Sequence, residues 1–225
     1  MEKTNMVVDF YHYSFRSIIV GNSGVGKSSI IRTLVNKPFS TLHDLTIGVE
    51  FEQKMLEVPD KNGNIKNINL QIWDTAGLEQ FQAITHVYFK NCCIVFIVYD
   101  VSNRKSFVSV PNWIKMVKQK CKSHVQIMVV ANKIDARYTE IHKEEGMRCA
   151  STYGVYFFEA SAARGTNVHV LFRRACESVL CHSLDVVKPS KENGIQQGNI
   201  IENRETVIVS NRDSLADMAK CCVVQ

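Results

Sequence analysis

At 225 residues, 45% of them apolar, the chain has the length for one globular domain with a sizeable core plus an extension, and too little for a second full domain. Its formal net charge of +5 comes from bases interspersed with acids, without the long Lys/Arg runs of a nucleic-acid-binding arm, so no nucleic-acid partner is expected. Residues Met1 to Tyr13 lack the continuous apolar core of a secretory signal, and no run approaches the roughly 18 apolar residues of a membrane span. The eight cysteines lack zinc-ligand spacing, which favours reduced thiols over a disulfide framework.

In chain order, Phe15 to Val20 reads as a buried strand and Ser28 to Val35 as a helix. Lys37 to Leu45 is polar and turn-like. A strand starting at Thr46-Ile47-Gly48-Val49-Glu50-Phe51 runs to Val58, and Lys61-Asn62-Gly63-Asn64 is a hairpin turn, because Asn-Gly readily takes positive φ. The return strand, Ile65 to Trp73, alternates Ile68, Leu70 and Ile72 with polar residues and ends at Asp74-Thr75-Ala76-Gly77. Ile94 to Tyr99 and Gln126 to Ala131 are continuous apolar runs, the pattern of parallel strands covered on both faces. Helical stretches follow over Arg104 to Cys121, Thr139 to Tyr153 and Asn167 to His182, with a last strand at Val155 to Ala160.

Strand and helix alternating in this way imply an α/β sheet with right-handed crossovers, whose ligands bind beyond the carboxyl ends of the strands. The polar motifs obey that rule: Gly21 to Ser28, Asp74 to Gly77, Asn132 to Asp135 and Ser161 to Ala163 each lie just after a strand.

The first motif, Gly21-Asn22-Ser23-Gly24-Val25-Gly26-Lys27-Ser28-Ser29, fits the phosphate-loop pattern in its required strand–loop–helix context. Glycines let backbone N–H groups turn toward a β-phosphate, and the following helix N-terminus adds partial positive charge. Lys27 is placed to bridge β- and γ-phosphates. Ser28 offers a hydroxyl to Mg²⁺, a hard cation that takes oxygen ligands from protein and phosphate.

With these motifs together, residues 14–183 resemble the Ras-type small GTPases and, within them, the Rab family. The resemblance implies a three-layer P-loop G domain: a mostly parallel six-stranded sheet with one antiparallel strand and helices on both faces. It places residues 1–13 in an N-terminal extension and 184–225 in a variable tail. Asn132-Lys133-Ile134-Asp135 is similar to the guanine-reading element, Asp135 accepting from the base N1–H and exocyclic amine, Asn132 tying loops together and contacting the base, and the Lys133 stem lying over the ring. An unpaired carboxylate there would be costly, which discriminates against adenine. Ser161-Ala162-Ala163 is similar to the family's Ser-Ala-Lys element, with the Ala162 N–H reaching the guanine oxygen and Ala163 replacing the usual lysine. Phe39 stands where the family stacks an aromatic ring. Thr46 stands where it places the switch threonine on Mg²⁺ and the γ-phosphate, Asp74 would hold the ion through water, and the Gly77 N–H would meet the γ-phosphate. Loss of that phosphate releases both loops. The Rab assignment rests on Ile47-Gly48-Val49-Glu50-Phe51, on Leu70-Gln71-Ile72-Trp73 and on the tail.

One departure bears on catalysis. The family's Asp-Thr-Ala-Gly is followed by Gln, whose amide orients the attacking water, whereas this chain reads Asp74-Thr75-Ala76-Gly77-Leu78-Glu79-Gln80-Phe81. Leu78 has no group for that task. Catalysis in this class is positioning plus electrostatic stabilisation, so slow GTP hydrolysis and a long-lived GTP state are expected, unless Gln80 or Gln82 takes over.

From Leu184 the periodicity stops, and a polar stretch rich in Asn, Gln and Gly reads as a disordered tether. Its five basic and six acidic residues nearly cancel, so polybasic attraction to anionic lipid is not available. The end, Cys221-Cys222-Val223-Val224-Gln225, satisfies the C-a-a-X rule at Cys222 with a second acceptor at Cys221, and two prenyl chains anchor where one alone binds marginally. Val207-Ile208-Val209 resembles the aliphatic element that escort proteins grip. The expectation is a monomeric switch with effectors, an exchange factor and a dissociation inhibitor or escort protein as partners. It would cycle between cytosol and the cytoplasmic face of an intracellular membrane in vesicle transport. A GTP-binding scaffold that barely hydrolyses is the alternative; a kinase or ATPase is disfavoured by Asn132 to Asp135.

Overall fold

The computed structural model describes residues 11–38, 49–75, 89, 91–121 and 124–182. The described residues form six strands: β1 (Tyr13–Val20), β2 (Val49–Pro59), β3 (Ile65–Thr75), β4 (Ile94–Asp100), β5 (Gln126–Asn132) and β6 (Tyr156–Glu159). They are joined by α1 (Lys27–Leu34), α2 (Arg104–Val108), α3 (Val110–Lys120), α4 (Lys143–Tyr153) and α5 (Val168–His182). The sheet order is β2-β3-β1-β4-β5-β6, parallel throughout except for the antiparallel β2–β3 hairpin. This is the expected α/β architecture.

Why the sheet is covered on both faces is visible in β4, whose seven residues are all buried. Ile94, Phe96 and Val98 point to one face, where α1 and α5 supply Leu34, Leu171 and Phe172; the Phe96 and Phe172 rings lie 4.6 Å apart. Val95, Ile97 and Tyr99 point to the other face and pack under α3 through Val110, Trp113, Ile114 and Val117, with Cys149 and Tyr153 of α4 packed against the same cluster. Successive strand side chains alternate faces, so an unbroken apolar run requires cover on both. Among the described residues no helix is long and apolar enough to cross a membrane. Among the described residues, Cys92, Cys93, Cys121, Cys149, Cys176 and Cys181 are thiols outside any disulfide.

The helix expected over Arg104 to Cys121 is two helices. Asn103 caps α2, its side chain accepting from the Lys105 and Ser106 N–H groups, and the chain breaks at Ser109 before α3 restarts with Pro111 in its first turn. Proline has no N–H to give and its ring clashes with the carbonyl four residues back, here Phe107, so a continuous helix cannot pass. Ser109, the N-cap of α3, and Trp113, one turn further on, lie beside the phosphate loop, both bonded to Asn22. The antiparallel hairpin closes as its sequence implied: Asp60 Oδ1 accepts the Asn62 and Asn64 N–H groups at 2.9 Å each, and Gly63 takes φ 82°.

Candidate functional site

The phosphate loop leaves the carboxyl end of β1, the strand between β3 and β4, and turns into α1. Two of its glycines are required by space. An added Cβ at Gly21 (φ 139°) would stand 2.2 Å from the Val98 carbonyl oxygen of β4, and one at Gly26 (φ 95°) would stand 2.4 Å from the Asn132 side-chain nitrogen. Gly26 is the N-cap of α1 with no side chain to satisfy the helix's first N–H groups, which leaves them to an anion. Lys27, buried, donates from Nζ to the Gly21 and Asn22 carbonyls at 2.9 Å each, so its ammonium is held under the loop at the position the motif assigns to phosphate contact.

Asn132, at the end of β5, is 1% exposed and uses both ends of its amide: Nδ2 donates to the Val25 carbonyl at 2.8 Å and Oδ1 accepts from the Ala162 N–H at 3.2 Å. One side chain thus ties the phosphate loop to the loop after β6. The resemblance assigned the Ala162 N–H to the guanine oxygen; here that hydrogen is given to Asn132. Lys133, at φ 66°, reaches across to donate to the Gly24 carbonyl at 2.8 Å and pairs with Asp100 at 2.6 Å. Burial alone would raise the Asp100 carboxyl, but Lys133 and the Ser102 hydroxyl and N–H outweigh it and hold it below the usual carboxylate range. Asp135 is half-buried, one oxygen accepting from the Ser161 hydroxyl at 2.5 Å; Ser161 in turn accepts the Arg164 N–H at 3.1 Å. Thr33 of α1 donates to the Ala162 carbonyl at 2.9 Å, closing the ring of loops.

Asp74, on β3 and 1% exposed, has no hydrogen-bond partner of good geometry for either carboxylate oxygen. Burial pushes its carboxyl up to about 6, with the Ser28 hydroxyl and the Lys27 charge pulling the other way. A buried carboxylate orphaned beside a hydroxyl at a helix N-terminus fits a divalent cation, whose charge would satisfy it. Ser28 and Asp74 are the residues that would hold Mg²⁺, directly or through water, and the ion supplies charge neutralisation to the phosphates.

The structure therefore brings together Gly21 to Ser29, Asp74, Asn132, Lys133, Asp135 and Ser161 to Ala163. Phe39, Thr46, Gly77, Leu78, Cys221 and Cys222 lie outside the described residues. Sequence reading passed over Asp100, although it sits at the carboxyl end of β4 where the strand-end rule looks, and over Ser109 and Trp113, which nothing local marks as neighbours of the phosphate loop.

A phosphate loop on a central strand, a buried orphan carboxylate beside it and an Asn-Lys-x-Asp segment laced to it define the guanine-nucleotide-binding class of phosphate-loop proteins. The model of the Ras family matches residues 16–181, and the chain belongs to that family. It is a small GTPase, a switch that binds guanine nucleotide, with Mg²⁺ as its usual companion ion.

Proposed function

We propose that this GTPase is a Rab-type switch of intracellular membrane traffic, lipidated at Cys221 and Cys222, that recruits effectors while GTP-bound and hydrolyses GTP slowly. The observation that carries the Rab reading is an aromatic platform on the β2–β3 hairpin. Phe51, 47% exposed, packs edge-on against Trp73 with ring centroids 4.5 Å apart, and Arg16 covers the Trp73 ring at 4.7 Å. Trp73 immediately precedes Asp74 on β3, so the platform shares a strand with the candidate Mg²⁺ residue but faces the opposite side of the sheet. An exposed aromatic backed by a half-buried one is a recognition surface of the kind partners use as anchors. The terminal cysteines, and a tether whose charges nearly cancel and so offers no polybasic anchor, support attachment by two lipid chains.

The test uses the full chain, prenylated in vitro with an escort protein and a geranylgeranyl donor. Two lipid equivalents are expected, and none in a C221S/C222S variant; a dissociation inhibitor should extract the GDP form from vesicles and leave the GTP form. Absence of lipid transfer would overturn this reading. Leu78 favours a second one, a scaffold that binds GTP without regular cycling. Single-turnover hydrolysis beside L78Q separates them: restored turnover marks a switch with a weakened off step, whereas equal rates mean that another residue positions the water.

A further inference from the structure

We propose that Asn22 is a positioning residue for nucleotide binding, its side chain latching the phosphate loop to the start of α3. The phosphate-loop motif asks nothing of the side chain at this position. Yet both ends of the Asn22 amide are used, across 87 and 91 residues of sequence: Nδ2 donates to Ser109 Oγ at 3.2 Å, and Oδ1 accepts from Trp113 Nε1 at 3.1 Å.

The donor and acceptor inventory fixes why asparagine stands there. The indole N–H of Trp113, 6% exposed, can only donate, so it needs an acceptor. Ser109 gives its single hydroxyl hydrogen to the Lys105 carbonyl at 3.1 Å, so its oxygen can only receive from Asn22. The position therefore calls for one acceptor and one donor on the same short planar group. Aspartate would offer acceptors alone, force Ser109 to abandon Lys105, and place a negative charge in a loop that must hold phosphates.

The latch reaches the ligand site through the backbone. The Asn22 carbonyl is one of the two that hold Lys27, so displacement of Asn22 displaces the ammonium. The loop has no slack with which to absorb such a shift: Gly21 is pressed against Val98 O, the Gly24 carbonyl is held by Lys133 and the Val25 carbonyl by Asn132. Ser109, the N-cap of α3, and Trp113 stand four residues apart on one helical face, and both reach Asn22. The same connection makes the α2–α3 corner a lever on nucleotide retention.

The inference rests on the phosphate loop holding guanine nucleotide. The experiment measures release of a fluorescent GDP analogue from the Mg²⁺-loaded full chain for the unsubstituted protein, N22A, S109A, W113F and N22A/W113F. Loss of the latch is expected to speed release about tenfold in N22A and about threefold in S109A, in keeping with one or two buried hydrogen bonds. W113F should speed release as well, and the double variant should be no faster than N22A within about twofold, because the two act through one bond. A merely structural role would lower thermal stability without this non-additive change in release rate. N22A or S109A releasing at the unsubstituted rate, or N22A and W113F multiplying, overturns the latch. Failure of the unsubstituted protein to bind guanine nucleotide overturns the functional reading itself and the latch with it.

Discussion

Replacing Asn132 by alanine is expected to weaken nucleotide binding without altering which base is preferred. The Asn132 amide is spent on the Val25 carbonyl and the Ala162 N–H, so its removal orphans two buried backbone groups, each costing about 1–3 kcal/mol. Part of that loss falls on folding and part on the loops' ability to hold a ligand; about 1.5–3 kcal/mol in the second share is a tenfold to hundredfold loss of affinity. The loss should be equal for GDP and for inosine diphosphate, which lacks the exocyclic amine. Asp135→Asn should behave differently, because the carboxylate that Ser161 orients is the group read by that amine, and a hydrogen bond to a charged acceptor is worth about 1.5–3 kcal/mol. The preference for GDP over inosine diphosphate should therefore persist in N132A and collapse in D135N. Competition binding with both nucleotides at fixed Mg²⁺ measures the two ratios. A preference that changes more than about threefold in N132A would show that Asn132 reads the base, and the account of it as a tie between loops would fail.

Two further predictions concern buried polar groups that lack partners. Asp74, its carboxyl raised to about 6 in the fold against 3.8 ordinarily, takes up a proton in the metal-free folded protein that the unfolded chain does not. Stability from this group rises as pH falls through 6 and levels off below 3.8. In EDTA, D74N should thus exceed wild type at pH 7.5 by up to about 3 kcal/mol, lose about two thirds of that advantage by pH 4.5 and the rest below 3.8; a difference that does not vary with pH refutes the assignment. The Tyr99 hydroxyl is buried with no partner, its pKa raised by burial, and lies 2.5 Å from where a Cβ on Gly146 would stand, with Phe157 ring carbons at 2.4 and 2.9 Å. Y99F should gain about 1 kcal/mol and G146A lose about 1–3 kcal/mol despite better helix propensity, with the double variant recovering part of the loss; strict additivity in urea unfolding would show that the two do not touch.

Much of the fold was legible because its signals are local. The apolar runs of β4 and β5 could only be strands covered twice, and Asn62-Gly63 could only be a tight turn, so the strand ends, and with them the rim that carries the motifs, followed from chain order. Glycines in the phosphate loop were legible as a type, but the reason for Gly26 was not, since the atom that excludes a Cβ belongs to Asn132, 106 positions away. Separation along the chain also hid the work of Asp100, 33 positions before Lys133, which it steers only once β4 and β5 are neighbours. The break at Ser109 did have a signal in Pro111, outweighed on reading by the helical periodicity around it. Asn22 was legible as part of a motif and illegible as a side chain, because its partners are set by how α3 leans on the sheet.

The position of β1 in the sheet bears on how the molecule opens. Ser17, Ile18 and Ile19 are paired in parallel with β3 on one side and β4 on the other, Ile19 facing Asp74 and Phe96 at once. Strand β2 and strand β6 form the two edges. Fluctuations that peel a sheet begin at its edges, where each strand has a single neighbour, and amide exchange follows the same order. Either edge can fray while the strand that roots the phosphate loop keeps both of its ladders, so the hydrogens of Ser17 to Val20 should be among the last to exchange. The nucleotide cradle stands on the part of the sheet that lets go last, and transient opening of the hairpin that carries Phe51 leaves it in place.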